Sequence, residues 1–198
     1  MSKAIAFFDF DGTITTKDSL AEFIRFTKGN SGFLFGLIPV LPHIIGFKFG
    51  LFNRQKAKEK LLSAFFRGIP EHEFKEQSVS FANDRVPSLL RPGAVDKLKW
   101  HQQQGHEVVI VSASPAHWLK PWCNSNGFAC ISTELEVVDQ KITGKINGLN
   151  CHGEEKVRRI REKYHLSSYD AIYAYGDTDG DKPMLALAGN SYYKPFRD

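Results

Sequence analysis

Several whole classes of protein are excluded by what this sequence lacks. It holds only three cysteines, Cys123, Cys130 and Cys151. That number is odd and the spacing is not of a metal-binding type, so free thiols in a reducing cytoplasm are expected. No dense run of Lys and Arg accompanies the formal charge of +4, and nothing therefore argues for a nucleic-acid partner. No secretory signal opens the chain, because Asp9 and Asp11 interrupt the apolar N-terminal run. Disorder has no compositional signature here: 42% hydrophobic and 24% charged residues suit one buried α/β core with some chain left for an accessory module.

An uninterrupted hydrophobic run of membrane-spanning length is also missing. The nearest approach is Gly32 to Phe52, which is broken by Pro39, Pro42, His43, Lys48 and four glycines. Helices packed inside an accessory module are the expectation for this stretch. Peripheral membrane contact through segment 33–52 is the alternative, which would make a cytoplasmic protein membrane-associated.

Three compact apolar runs are present, each stopping at small or acidic residues: Ala4 to Phe10, Glu107 to Val111, and Ala171 to Tyr175. Such runs read as strands buried on both faces. Helical stretches at Val95 to Gln104, His117 to Asn124 and Glu154 to Tyr164 separate them. This alternation predicts an α/β fold with a doubly wound, mainly parallel sheet. Leu135 to Leu149, with Gly144 and Gly148 among alternating residues, predicts a β-hairpin. Between Thr16 and about Pro87 the strand signal vanishes. Leu20, Phe23 and Ile24 have helical spacing behind an N-cap at Asp18 or Ser19, Lys56 to Phe66 is a helix stopped by Gly68, and Pro70 starts another through Phe81. A helical insertion after the first strand follows.

The chemistry-bearing residues gather at the strand ends, where open α/β sheets bind ligands. Asp9 and Asp11 lie two apart in DFDGT; one carboxylate can attack while the other handles protons. Gly12 lets the backbone turn sharply and Thr13 can fix the loop. Ser112 closes the second strand with helix-start N–H groups beside it. Lys156 can neutralise negative charge. Asp177 and Asp181, in GDTDGD, suit a hard cation such as Mg²⁺. Singly, each has an ordinary structural role in a turn, a cap or a solvated face. Four in this order at strand ends do not share one.

In this arrangement the chain resembles the haloacid dehalogenase-like superfamily of aspartate-nucleophile phosphotransferases, from Ile5 to about Tyr193. DxDGT matches Asp9 to Thr13 in full, the hydroxyl motif matches Ser112, the lysine motif matches Lys156, and GDxxxD matches Gly176, Asp177 and Asp181. The resemblance implies a core of residues 1–15 and 88–198 with a helical cap at 16–87. It implies Asp9 as nucleophile and Asp11 as general acid/base. Mg²⁺ would sit on Asp9, the Asp11 backbone carbonyl and Asp177, with Asp181 in support. The phosphoryl group would lie against Ser112, Ala113, Gly12 and Lys156.

An acid at Asp11 points to a phosphatase, with a phosphomutase, another phosphotransferase or a non-catalytic binding protein on this fold as alternatives. The segments "AYGDTDGDKPML" and "NCHGEEK" look like the subgroup that contains phosphoserine phosphatases, whose cap supplies an acid and an arginine. Asp18 can stand for the acid. The arginine position falls on Leu62 in one register and on Arg54 or Arg67 in others, and Ser112-Ala113-Ser114-Pro115 departs from the usual Ser-Gly-Gly. The apolar "LIPVLPHIIGF" looks instead like the phosphatidylglycerophosphatase C branch. A small-molecule or lipid phosphate is therefore the expected substrate.

Overall fold

The computed structural model describes residues 3–42 and 53–197. Five parallel strands form one sheet in the order β3-β2-β1-β6-β7. They are β1 (Ala4–Phe8), β2 (Glu107–Pro115), β3 (Ala129–Thr133), β6 (Ala171–Gly176) and β7 (Asn190–Tyr193). β1 is central and every residue in it is buried, which explains its unbroken apolar sequence. Alternate side chains serve two cores. Ala6, Phe8, Val108 and Ile110 face one, whereas Ile5, Phe7, Val109 and Val111 face the other. That period of two is the pleat of the sheet.

Helices cover both faces, as a parallel sheet requires. Those of the core are α4 (Pro92–Gln103), α5 (Ala116–Ser125), α6 (Glu154–Lys163) and the short α7 (Lys182–Leu185). Between the loop that follows β1 and the start of α4, the described chain forms helices joined by turns, with isolated bridges only at Thr15–Leu90 and Pro70–Lys141. It contains α1 (Ser19–Leu37), α2 (Arg54–Phe66) and α3 (Glu71–Ser80), the last running on into irregular turns through Leu89. α1 is capped by Asp18, which accepts from Ala21 N at 2.9 Å, and it breaks at Gly29 (φ 70°). The abundance of phenylalanine finds its use here. Phe23 packs at 5.2–5.4 Å from Phe66, Phe74 and Phe81 and stacks on Trp118 of α5 at 4.6 Å, fastening the insertion to the core.

The expected hairpin forms from β4 (Leu135–Val138) and β5 (Lys141–Ile146). It turns through Asp139 and Gln140, both at positive φ, and packs against α2. Part of the apolar stretch, residues 43–52, lies outside the described residues; residues 33–42 are the end of α1 and a turn. No described helix is long and apolar enough to cross a membrane.

Candidate active site

β1 delivers Asp9 to the carboxyl edge of the sheet. Its N–H continues the ladder to Tyr175 O at 2.9 Å, which holds Asp9 level with Asp177 at the end of β6. Lys156 reaches the same point from the first turn of α6. Its ammonium donates to Asp9 Oδ1 at 2.6 Å, Asp181 Oδ1 at 2.7 Å and Val111 O at 2.7 Å. All three of its protons are thereby used. Lys156 is 1% exposed. Burial alone would lower its pKa, but the carboxylates of Asp9 and Asp181 win and hold it above the ordinary value. Burial pushes Asp9 up to about 7; Lys156 opposes the rise and Asp181 adds to it.

The Asp11 carboxylate points the other way, toward the insertion. Oδ1 accepts Ser19 N at the start of α1 at 2.6 Å, and Oδ2 accepts the Ser114 hydroxyl. Ser114 and Ser19 hydroxyls meet at 2.9 Å, and Trp118 Nε1 donates to Ser19 at 3.1 Å. Burial first, and the neighbouring Asp18 second, raise Asp11 to about 6 against the hydrogen bonds from Ser114 and Ser19. A carboxyl group poised there can hold or release a proton near neutrality.

Asp9, Asp177 and Asp181 each offer a carboxylate oxygen within 4.8 Å of the others, and all three are buried. Thr13 Oγ1 lies 3.2 Å from Asp9 Oδ2 and 3.1 Å from Asp177 Oδ1, bridging the first two. Asp181 Oδ2 accepts from Asp177 N, Thr178 N and Thr178 Oγ1 at 2.9–3.2 Å. Arg197 pairs with Asp177. Three buried, all-oxygen donors gathered this closely fit a hard divalent cation. Gly12 is demanded by this packing: at φ 82° a Cβ would sit 2.5 Å from Asp177 Oδ2. The Asp11 carboxylate stays outside the acid cluster.

A cavity of about 330 Å³ opens onto Asp9, Asp11, Ser112 and Lys156. Ser112 Oγ accepts from Ser114 N at 3.0 Å, and Ala113 follows it along the wall. The insertion closes the far side with Asp18, Leu20, Arg54, Ala57, Lys58 and Leu61. Of the three candidate positions for a cap arginine, only Arg54 reaches this cavity. Leu62 is buried in the core and Arg67 lines a separate groove. Asp18 both caps α1 and lines the cavity.

Sequence reasoning missed Ser114 and Lys58. Lys58 Nζ donates to Ala113 O and to Asn150 Oδ1 (3.2 Å), and burial lowers its pKa to about 8 while Asp11 and Asp18 oppose the fall. The available signal was its position one helical turn beyond Arg54, which puts both cations on one edge of α2. His152 was missed as well. It lines the cavity with a buried Nε2 that has no hydrogen-bond partner among the described residues and is packed where a side chain on Gly180 would be.

A doubly wound α/β core with an acid-and-lysine centre at its carboxyl edge, covered by a helical insertion, defines a class of phosphatase-like hydrolases. Residues 6–186 match the haloacid dehalogenase-like hydrolase family, and the chain belongs to that family. It is 37% identical to the protein CicA of Caulobacter vibrioides over 96% of this chain and 85% of that protein. It is 29% identical to a "probable phosphatase" of Mycobacterium tuberculosis, across 96% of this chain and 68% of that protein. Among solved structures, a Bordetella pertussis protein of unknown function superposes with a TM-score of 0.80 at 22% identity, covering 96% of this chain and 89% of that one. A substrate-bound phosphoserine phosphatase superposes with a TM-score of 0.71 at 19% identity, covering 98% and 86%. At these identities the structural matches speak for the fold.

Proposed function

We propose that the protein is a Mg²⁺-dependent phosphatase that hydrolyses a phosphate monoester through a covalent aspartyl-phosphate on Asp9. The observation that carries this reading is the fixed Asp9 carboxylate. Lys156 holds one oxygen and Thr13 the other, at the floor of a cavity that also contains the Asp11 carboxyl group. An Asp9 oxygen attacks phosphorus and the ester oxygen leaves from the opposite side. Lys156 offsets the negative charge that develops, and Ser112 with the adjacent backbone orients the phosphoryl oxygens. Asp11 donates a proton to the leaving alkoxide and then takes one from the water that attacks the aspartyl-phosphate. Asp9, Asp177 and the backbone carbonyl of Asp11 would hold Mg²⁺, with Asp181 in support, and the ion when bound supplies positive charge beside the transferring group.

The far wall of the cavity combines apolar Leu20, Ala57 and Leu61 with the cations Arg54 and Lys58. That wall suits an alcohol portion with an apolar body and an anionic group, which small-molecule and lipid phosphates both offer. Phosphate release should be measured with and without Mg²⁺ from p-nitrophenyl phosphate, phosphoserine and micellar phosphatidylglycerophosphate. Turnover should require Mg²⁺, fall at least about 10³-fold in Asp9→Asn, and fall comparably in Asp11→Asn. Substantial turnover by a folded Asp9→Asn variant would remove the nucleophile assignment. An unchanged rate in Asp11→Asn would remove its proton-transfer role.

A further inference from the structure

Outside the reaction site, the apolar side chains of α1 are distributed in an unexpected way. Beyond the break at Gly29 the distal limb of the helix runs into the turn at Ile38–Val40. Its inner face packs on α2. Phe33 stacks on Phe65 at 6.3 Å, Gly36 lies so close that a Cβ would fall 2.2 Å from the Phe65 ring, and Val40 is buried. The opposite face carries Leu34, Phe35, Ile38 and Leu41, which are 65%, 72%, 60% and 46% exposed. Their spacing of i, i+1, i+4 and i+7 makes one continuous stripe. An amphipathic helix that only covers a core has a polar outer face. Here four large apolar side chains stand in water side by side.

Charge decides what this stripe fits. Between Glu22 and Glu59 the sequence contains no Asp or Glu, while Arg25, Lys28, Lys48 and Lys56 fall in that interval, besides Arg54 and Lys58, which line the cavity. The Arg25 guanidinium, which pairs with Glu22 at 2.9 Å, lies 4.2 Å over the Phe33 ring at the near end of the limb, and Lys28 follows one turn later. An apolar stripe within a stretch of sequence that carries cations and no acids matches a surface that is oily inside and negative at its boundary. A second copy of this chain fits poorly, because pairing the stripe with itself brings these cations together. A limb of two to three turns is also far too short to cross a bilayer, which takes about 20 residues.

We propose that the outer face of the distal limb of α1 docks the protein peripherally on an anionic phospholipid surface, with Leu34, Phe35, Ile38 and Leu41 entering the headgroup boundary. Docking of this kind is independent of the reaction assigned to the cavity. It places the insertion, which also supplies Arg54 and Lys58 to the cavity, next to the lipid.

The test is co-sedimentation of the full chain with vesicles of phosphatidylglycerol and phosphatidylcholine, against vesicles of phosphatidylcholine alone. Wild type should partition at least roughly tenfold better onto the anionic vesicles, and about 0.5 M salt should weaken that preference. A quadruple variant, Leu34→Ser, Phe35→Ser, Ile38→Ser and Leu41→Ser, should lose at least roughly tenfold in partitioning. Circular dichroism and the unchanged hydrolysis of a soluble aryl phosphate report its fold, and the single Phe35→Glu variant serves if the quadruple one is unstable. Three results would each overturn the proposal: no sedimentation of wild type with anionic vesicles, equal partitioning of folded variants, or a wild-type dimer in sedimentation velocity that the variants abolish.

Discussion

An ammonium group removed from water beside Ala113 O and Asn150 Oδ1 is easier to deprotonate, which is why Lys58 sits near 8 rather than at its ordinary value of 10.5. Two consequences with opposite signs follow. Between about pH 8 and 10.5 the unfolded chain binds the proton more than the folded chain does, so this group makes folding more favourable as pH rises through that window. Substrate binding responds the other way. If Lys58 receives an anionic part of the ester, its charge and that contribution to affinity fade above about pH 8. Lys58→Met should raise KM roughly tenfold with a smaller change in kcat, and it should flatten the rise of KM above pH 8. An identical pH profile in the variant would show that Lys58 only ties the insertion to the core. Asp11 illustrates a different limit. Its place in DFDGT was legible, but its attachment to Ser19 and Ser114 was not, because those residues are 8 and 103 positions away and meet it only once α1 docks on β2.

At the scale of elements, the hairpin shows how closely the insertion is fitted to the core. Gly144 in β5 has φ 81°, and a Cβ there would fall 2.3 Å from Ser63 Cα in α2. Because the obstacle is backbone, it cannot swing away. Gly144→Ala should cost about 2–4 kcal/mol, read from urea unfolding. Gly148 is the control. It has φ 83° but meets nothing within 4 Å among the described residues, so Gly148→Ala should cost only the left-handed backbone penalty of about 1–2 kcal/mol. Equal losses would mean that contact with Ser63 contributes nothing. The hairpin was readable from its glycines and alternation, as were β1, β2 and β6 from their unbroken apolar runs. β3 and β7 were not. They are the edge strands of the sheet, short and only partly buried, and NSYY in β7 is largely exposed. With one side unpaired, such strands need less apolar sequence and so leave a weaker pattern. Element ends shifted for similar reasons: β1 stops at Phe8 rather than Phe10, and β2 continues to Pro115.

At the scale of the whole molecule, folding concentrates like charge. Asp9, Asp177 and Asp181 are distant in sequence or on separate elements, yet their carboxylates converge, with Lys156 and Arg197 as the cations bonded to them among the described residues. These acids were legible because each ends a strand or opens the next turn, positions that a parallel sheet brings to one edge whatever covers it. The cavity's outer wall was not legible, since it depends on where α2 docks. The same convergence predicts linkage between cation and stability. A divalent cation that binds only the folded state, present at a hundred times its Kd, stabilises by about 2.7 kcal/mol. For a chain of 198 residues that corresponds to a rise of roughly 5–10 °C in Tm. Asp177→Asn removes one charge from the cluster and leaves Lys156 with all three of its partners, so its Tm should respond much less to Mg²⁺. Its apo form should lie close to wild type, because relief of the mutual repulsion is set against loss of the Arg197 pair. A scan of Tm against Mg²⁺ concentration, run without any substrate, checks this independently of turnover. Equal shifts in wild type and variant would place the cation elsewhere, whereas a shift in wild type alone would tie it to the carboxylates that the sheet assembles.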